Sequence, residues 1–135
     1  MKKTKLFSEI EWEIFKSLWK KDKISVKQVW QEIYPDGEKA YTTIQTYMDR
    51  MVIKGFLQKE KIGLVNFYSP LISEKKALEQ ATNTFVQRAF NGSFGLLAQF
   101  LVDSRNLSIE DIDKIKKLIA KRERSQNGLN DNMDK

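Results

Sequence analysis

The stretch "AYTTIQTYMDRMVIKGFLQKEKIGLVNFYSP", residues 40–70, decides the fold. Its first half has a helical period. At about 100° per residue, Ile44, Tyr47, Met48, Met51 and Val52 fall on one arc, and Thr42, Thr43, Gln45, Thr46, Asp49 and Arg50 fall on the opposite one. Gly55 is a natural stop for that helix. Then the period changes. Two strand-like segments, 56–61 and 65–69, flank Gly63, and Pro70 ends the second. A helix with one apolar and one polar arc therefore runs straight into a basic hairpin.

Two further helix starts lie upstream. Ser8 and Glu11 have capping-box spacing, and Phe7 can staple onto Trp12. Ile10, Ile14 and Leu18 follow at four-residue spacing, with Phe15 and Trp19 beside them, and Lys20, Lys21 and Lys23 suit the C-terminal end. Ser25 and Gln28 repeat the box ahead of Val26, Val29, Trp30 and Ile33, with Ile24 as the staple for Val29. "YPDG", residues 34–37, breaks that helix. The order helix, helix, helix, hairpin is that of a winged helix-turn-helix. In such a module two helices and the wing brace the third, which can enter a major groove about 12 Å wide.

Downstream, Ser73 can cap a helix carrying Ala77, Leu78, Ala81, Phe85 and Ala89; "NGS" at 91–93 breaks it. "FGLLAQFLV", residues 94–102, is a short, very apolar helix. Ser108 with Asp111 opens a last one, bearing Ile109, Ile112, Ile115, Leu118 and Ile119. No sheet or large domain follows to cover these stripes, and a short helix leaves little apolar surface in water without a partner. A symmetric homodimer is therefore expected, its seam formed by Phe85, Phe94, Leu97, Phe100, Leu101, Ile112, Ile115 and Ile119. The expected fold is mostly α: a winged-helix DNA-binding domain over 1–72, helical dimerisation over 73–122, and a polar tail without a stripe, disordered over 123–135.

The totals exclude more than they assign. The chain of 135 residues has a formal net charge of +6, which suits nucleic acid or an anionic surface without proving either. It has no cysteine and no histidine, so disulfides, thiolate sites and the commonest general base and metal ligand are absent. No catalytic, phosphate-cradling or metal motif occurs, and neither an enzyme nor a cofactor is expected. No apolar run approaches the ~20 residues of a membrane span. The start "MKKTKLFSEIEWE" turns acidic at once and has no signal-peptide core. A cytoplasmic protein without membrane insertion is the simplest reading.

The polar arc of residues 42–50 carries the sharpest functional expectation. Gln can bond an adenine edge in bidentate fashion, a Thr methyl can pack on a thymine methyl, and Arg50 can reach a phosphate or a guanine. Asp49 could pair with Arg50 or accept from a cytosine. The rival is a solvated helix face, against which the threonines weigh, since they lower helix propensity without a packing gain. Lys54, Lys59 and Lys61 suit phosphates around the helix end and the wing; for Lys59 and Lys61 the rival is an edge strand protected by lysine. Trp12, Trp19 and Trp30 suit core or interface anchors better than a ligand cage.

Three segments in order, "SEIEWEIFKSLWK", "AYTTIQTYMDRMVIKGFLQKEK" and "FNGSFGLLAQFLVDSRNLSIEDIDKIKKLI", resemble the penicillinase-repressor and methicillin-repressor family, over roughly residues 6–121. The resemblance implies a transcriptional repressor that binds a palindromic operator in double-stranded DNA as a homodimer, with a winged helix on the DNA and C-terminal helices wrapped together. It implies an upstream metallopeptidase sensor whose signal leads to proteolytic inactivation, usually at an Asn-Phe bond. The matching position here reads Gln99-Phe100. By motif position Thr42, Thr43, Gln45, Thr46 and Arg50 match the family's recognition helix. Where several relatives begin that helix Ser-Pro-Lys, this chain has Ala40, Tyr41 and Thr42, which implies a different operator preference. The copper-responsive branch uses C-terminal cysteines, and this chain has none. The alternative function is a winged-helix protein–protein adaptor that does not bind DNA.

Overall fold

A computed structural model describes residues 7–133, with side chains as far as Asn127. Residues 1–6, part of the expected first domain, and 134–135, the end of the expected tail, lie outside the described residues. The elements are α1 (Glu9–Lys21), β1 (Ile24–Ser25), α2 (Val26–Ile33), α3 (Tyr41–Ile53), β2 (Leu57–Ile62), β3 (Val65–Pro70), α4 (Glu74–Ala89), α5 (Phe94–Asp103) and α6 (Ile109–Met133).

Local chemistry sets the helix ends. Ser8 and Glu11 form a reciprocal capping box on α1, and Ser25 and Gln28 form another on α2. Phe7 meets Trp12 edge to face at 5.3 Å, so the expected staple is in place. At the end of α3, Gly55 has φ 85°. Its N–H donates to the Val52 carbonyl at 3.0 Å, and the Phe56 N–H donates to the Met51 carbonyl at 2.9 Å. This paired closure needs a left-handed residue after the helix, which glycine adopts without a Cβ clash.

The sheet has the order β1-β3-β2, antiparallel throughout. Lys59 stands opposite Tyr68, and Ile24 stands opposite Tyr68 from the other side. The hairpin is thus the expected wing, and β1, two residues long, joins its inner edge. Ser25 closes β1 and caps α2 at once. The core of this unit joins Ile14, Phe15 and Leu18 of α1 to Val26 and Val29 of α2, Ile44, Met48 and Met51 of α3, and Leu57 and Tyr68 of the wing. Every apolar position expected at the centre of the α3 arc is therefore inside, which leaves the opposite arc of α3 outside. Trp19 and Trp30 are half-buried, and their indole N–H groups donate to the carbonyls of Ile72 (2.9 Å) and Lys39 (2.7 Å). They act as anchors between elements, the role expected of them.

The chain divides into one unit ending at Phe85 and another beginning at Val86, so the division falls inside α4 rather than at the expected residue 72. In the second unit, α5 has no buried residue. Ser93 caps it, and the Phe90 and Phe100 rings meet at 6.0 Å. Helix α6 runs on through the segment expected as a tail, to Met133. Lys121, Arg122, Glu123, Arg124 and Gln126 are good helix formers, and an established helix propagates at little cost even where no apolar stripe anchors it. Among the described residues, no helix is long and apolar enough to cross a membrane, and no cluster of acidic residues could hold a metal ion.

Candidate nucleic-acid interface

Helix α3 buries Ile44, Met48 and Met51 and turns Thr42, Gln45, Thr46 and Arg50 outward, with Thr43 half-exposed. The side chains of Gln45 and Arg50 make no hydrogen bond or ion pair with any other described residue. Their donors and acceptors face solvent. The Thr46 hydroxyl donates to the Thr42 carbonyl one turn back at 2.9 Å, so its proton is used inside the helix. Ile53, 85% exposed, ends the same stripe. At about 100° per residue Ile53 falls on the arc of Thr42, Gln45 and Thr46, a position the helical period alone gives.

The base of α3 is held by two carboxylates. Glu11 of α1 is almost fully buried; its Oε1 accepts the Ser8 N–H at 2.8 Å, and its Oε2 accepts Lys54 Nζ at 3.2 Å. A buried carboxylate needs such partners to remain charged. Lys54, expected at a phosphate, is therefore engaged across the domain. Asp49 is the second. Its Oδ1 accepts the Tyr68 phenol at 2.7 Å and Lys59 Nζ at 3.2 Å, and Lys59 lies 5.7 Å from the centre of the Tyr68 ring. Neither partner weighed for Asp49 from sequence, Arg50 or a base, is the one it has in the free chain. Burial, the Asp49 hydrogen bond and the Asp49 charge push the Tyr68 phenol well above its usual range, so it is a donor at neutral pH.

The wing's outer strand carries Lys59 and Lys61 on exposed positions, and Lys61 pairs with no described residue. Glu60, between them, pairs with Lys23. Beyond the turn at Gly63, Leu64 is 95% exposed. At the other end of α3, the Trp30 indole holds the Lys39 carbonyl and its ring meets Tyr41 edge to face at 5.9 Å. This fixes the entry of the helix, whose N-cap, Ala40, supplies no side-chain hydrogen bond. Tyr34, at the end of α2, donates to Glu13 of α1 at 2.9 Å; burial and then that carboxylate push its phenol up to about 12.

The structure thus brings Thr42, Thr43, Gln45, Thr46 and Arg50 to one outward face and sets Lys59 and Lys61 on the adjoining wing. It gives Lys54 and Lys59 internal partners. Of the residues expected at a seam, Phe85, Phe94, Phe100, Leu101, Ile112, Ile115 and Ile119 are exposed and Leu97 is half-buried; Gln99 on α5 is also exposed.

Comparison with known proteins agrees with these features. The chain matches the penicillinase repressor family over residues 7–121. It is 30% identical to the penicillinase repressor of Bacillus licheniformis over 119 residues, covering 88% of this chain and 93% of the relative. It is 26% identical to the methicillin resistance regulatory protein MecI of Staphylococcus aureus, covering 89% and 98%. The solution structure of the DNA-binding domain of the repressor BlaI aligns with a TM-score of 0.48 and 36% identity, covering 56% of this chain and 93% of that one. With a family match that spans most of its length and a winged helix as its N-terminal fold, the chain belongs to the penicillinase repressor family, a family of DNA-binding transcriptional repressors and not of enzymes.

Proposed function

We propose that this protein is a cytoplasmic repressor that binds a palindromic operator as a homodimer, each copy reading one half-site with α3. The observation that carries the proposal is the outward face of α3, where Gln45 and Arg50 have no internal partner although the helix beneath them is firmly anchored. A reading surface needs such uncommitted groups on a rigid support. Thr42, Thr43 and Thr46 add short side chains that allow close approach to base edges. Lys61 adds an uncommitted positive charge on the wing, while Lys54 and Lys59 stand nearby paired with Glu11 and Asp49. The exposed apolar side chains of α5 and α6 suit burial by a second copy, which would set two α3 helices on half-sites about one DNA turn apart, or a multiple of it.

Release of the operator would follow from cutting at Gln99-Phe100, downstream of a metallopeptidase sensor. Both residues are exposed on α5 in the single chain, so a protease would reach the bond when the seam between the two copies parts. A cut there would divide the association helices and leave the DNA-reading unit whole.

The test is the salt dependence of duplex binding by the full chain. Log affinity should fall linearly with log salt, by about 0.9 for each phosphate neutralised. A flat dependence would contradict DNA binding and favour a protein–protein adaptor.

A further inference from the structure

We propose that Asp49 withholds the wing cation Lys59 from the DNA backbone and so limits sequence-independent binding. The inference rests on the DNA-binding reading above. Three groups meet at one oxygen. Asp49 Oδ1, on α3, accepts the Tyr68 hydroxyl at 2.7 Å and the Lys59 ammonium at 3.2 Å. Tyr68 on β3 and Lys59 on β2 are register partners, so the sheet itself delivers both donors to the same place. The Tyr68 side chain is fully buried and has little freedom, so its hydroxyl holds the carboxylate in one orientation. The ammonium also lies 5.7 Å from the Tyr68 ring centre, within range of attraction to its face. Lys59 therefore has two preorganised partners in the free chain, unlike an ordinary surface lysine whose ion pair is loose and screened.

The consequence concerns how charge is distributed around α3. Sequence-independent affinity grows with the number of phosphates neutralised by free cations. Arg50 and Lys61 have no ion pair with described residues, while Lys59 is spent on Asp49. To reach a phosphate Lys59 must leave Asp49, and it then leaves an unpaired carboxylate on the helix face turned toward a polyanion. Any duplex meets that penalty, whatever its sequence. Base contacts by Gln45 are not reduced by it. The penalty therefore lowers the sequence-independent part of the affinity on every duplex and leaves the base contacts to decide between sites.

The experiment is a double-mutant cycle in the full chain, read as the salt slope of binding to a short mixed-sequence duplex. Asp49→Asn removes the charge and retains an oxygen for the Tyr68 hydroxyl. It should tighten mixed-sequence binding several-fold and steepen the slope by about 0.9, one additional phosphate. Lys59→Gln alone should change the wild-type slope far less, and in the Asp49→Asn background it should abolish the gain. A purely structural clasp would leave the slope of Asp49→Asn at the wild-type value, and that result would overturn the inference. So would a Lys59→Gln effect of the same full size in both backgrounds. A wild-type chain whose own slope is flat would instead overturn the DNA-binding reading, and this inference with it.

Discussion

Gln45 is the residue we propose for base discrimination, and its geometry is the reason. It lies on the outward arc of α3, one turn before Asp49, and no described residue uses its amide. On a duplex that the full chain selects from random sequence, Gln45→Ala should weaken binding by roughly 1–3 kcal/mol and relax the choice at one base pair of each half-site. Titration of duplexes substituted at single positions checks this; an unchanged preference at every position would exclude Gln45 from base contact. The outward residues of α3 were legible in the sequence because a helix places every residue by a fixed angle. Their partners were not. Asp49 meets Tyr68 and Lys59 only because β2 and β3 pair in one register, and Glu11 meets Lys54 only because α1 crosses the base of α3. Neither register nor crossing is encoded within the window that contains the residue. That is why Lys54 and Lys59 looked like free cations.

At the scale of the element, α3 differs from its neighbours at its start. Serine side chains cap α1, α2 and α5, whereas α3 begins at Ala40 with φ −71° and ψ 149°, the extended conformation an N-cap takes, and no side-chain acceptor. Ala40→Ser should therefore add about 0.5–2 kcal/mol to the stability of the DNA-reading unit. A higher urea midpoint with an unchanged slope checks this, and no shift would mean that another group already satisfies those N–H groups. The capping boxes and the glycine stop were plain in the sequence because they depend on residues three or four apart. β1 was not, because two residues have no period and become a strand only through pairing with β3. The length of α6 is not legible either, since a missing stripe signals only that a helix lacks a buried side.

At the scale of the whole molecule, the N-terminal unit has its own core, while the C-terminal helices expose Phe94, Phe100, Leu101, Val102, Leu118 and Ile119. An assembly of two copies reconciles the two. It would bury those side chains and double the reading surface, and loss of the seam would cost operator occupancy without altering α3. Leu97→Asp tests this link, because a charge placed in the seam must be desolvated to form it. The most direct measurement is selection from a random-sequence duplex library by the wild-type chain and by Leu97→Asp in parallel. The wild type should enrich a two-fold symmetric sequence, with half-sites about one turn or a multiple of it apart, and the variant should enrich at most a single half-site. Enrichment of one asymmetric site by the wild type, or of the same symmetric sequence by both proteins, would contradict a paired reader.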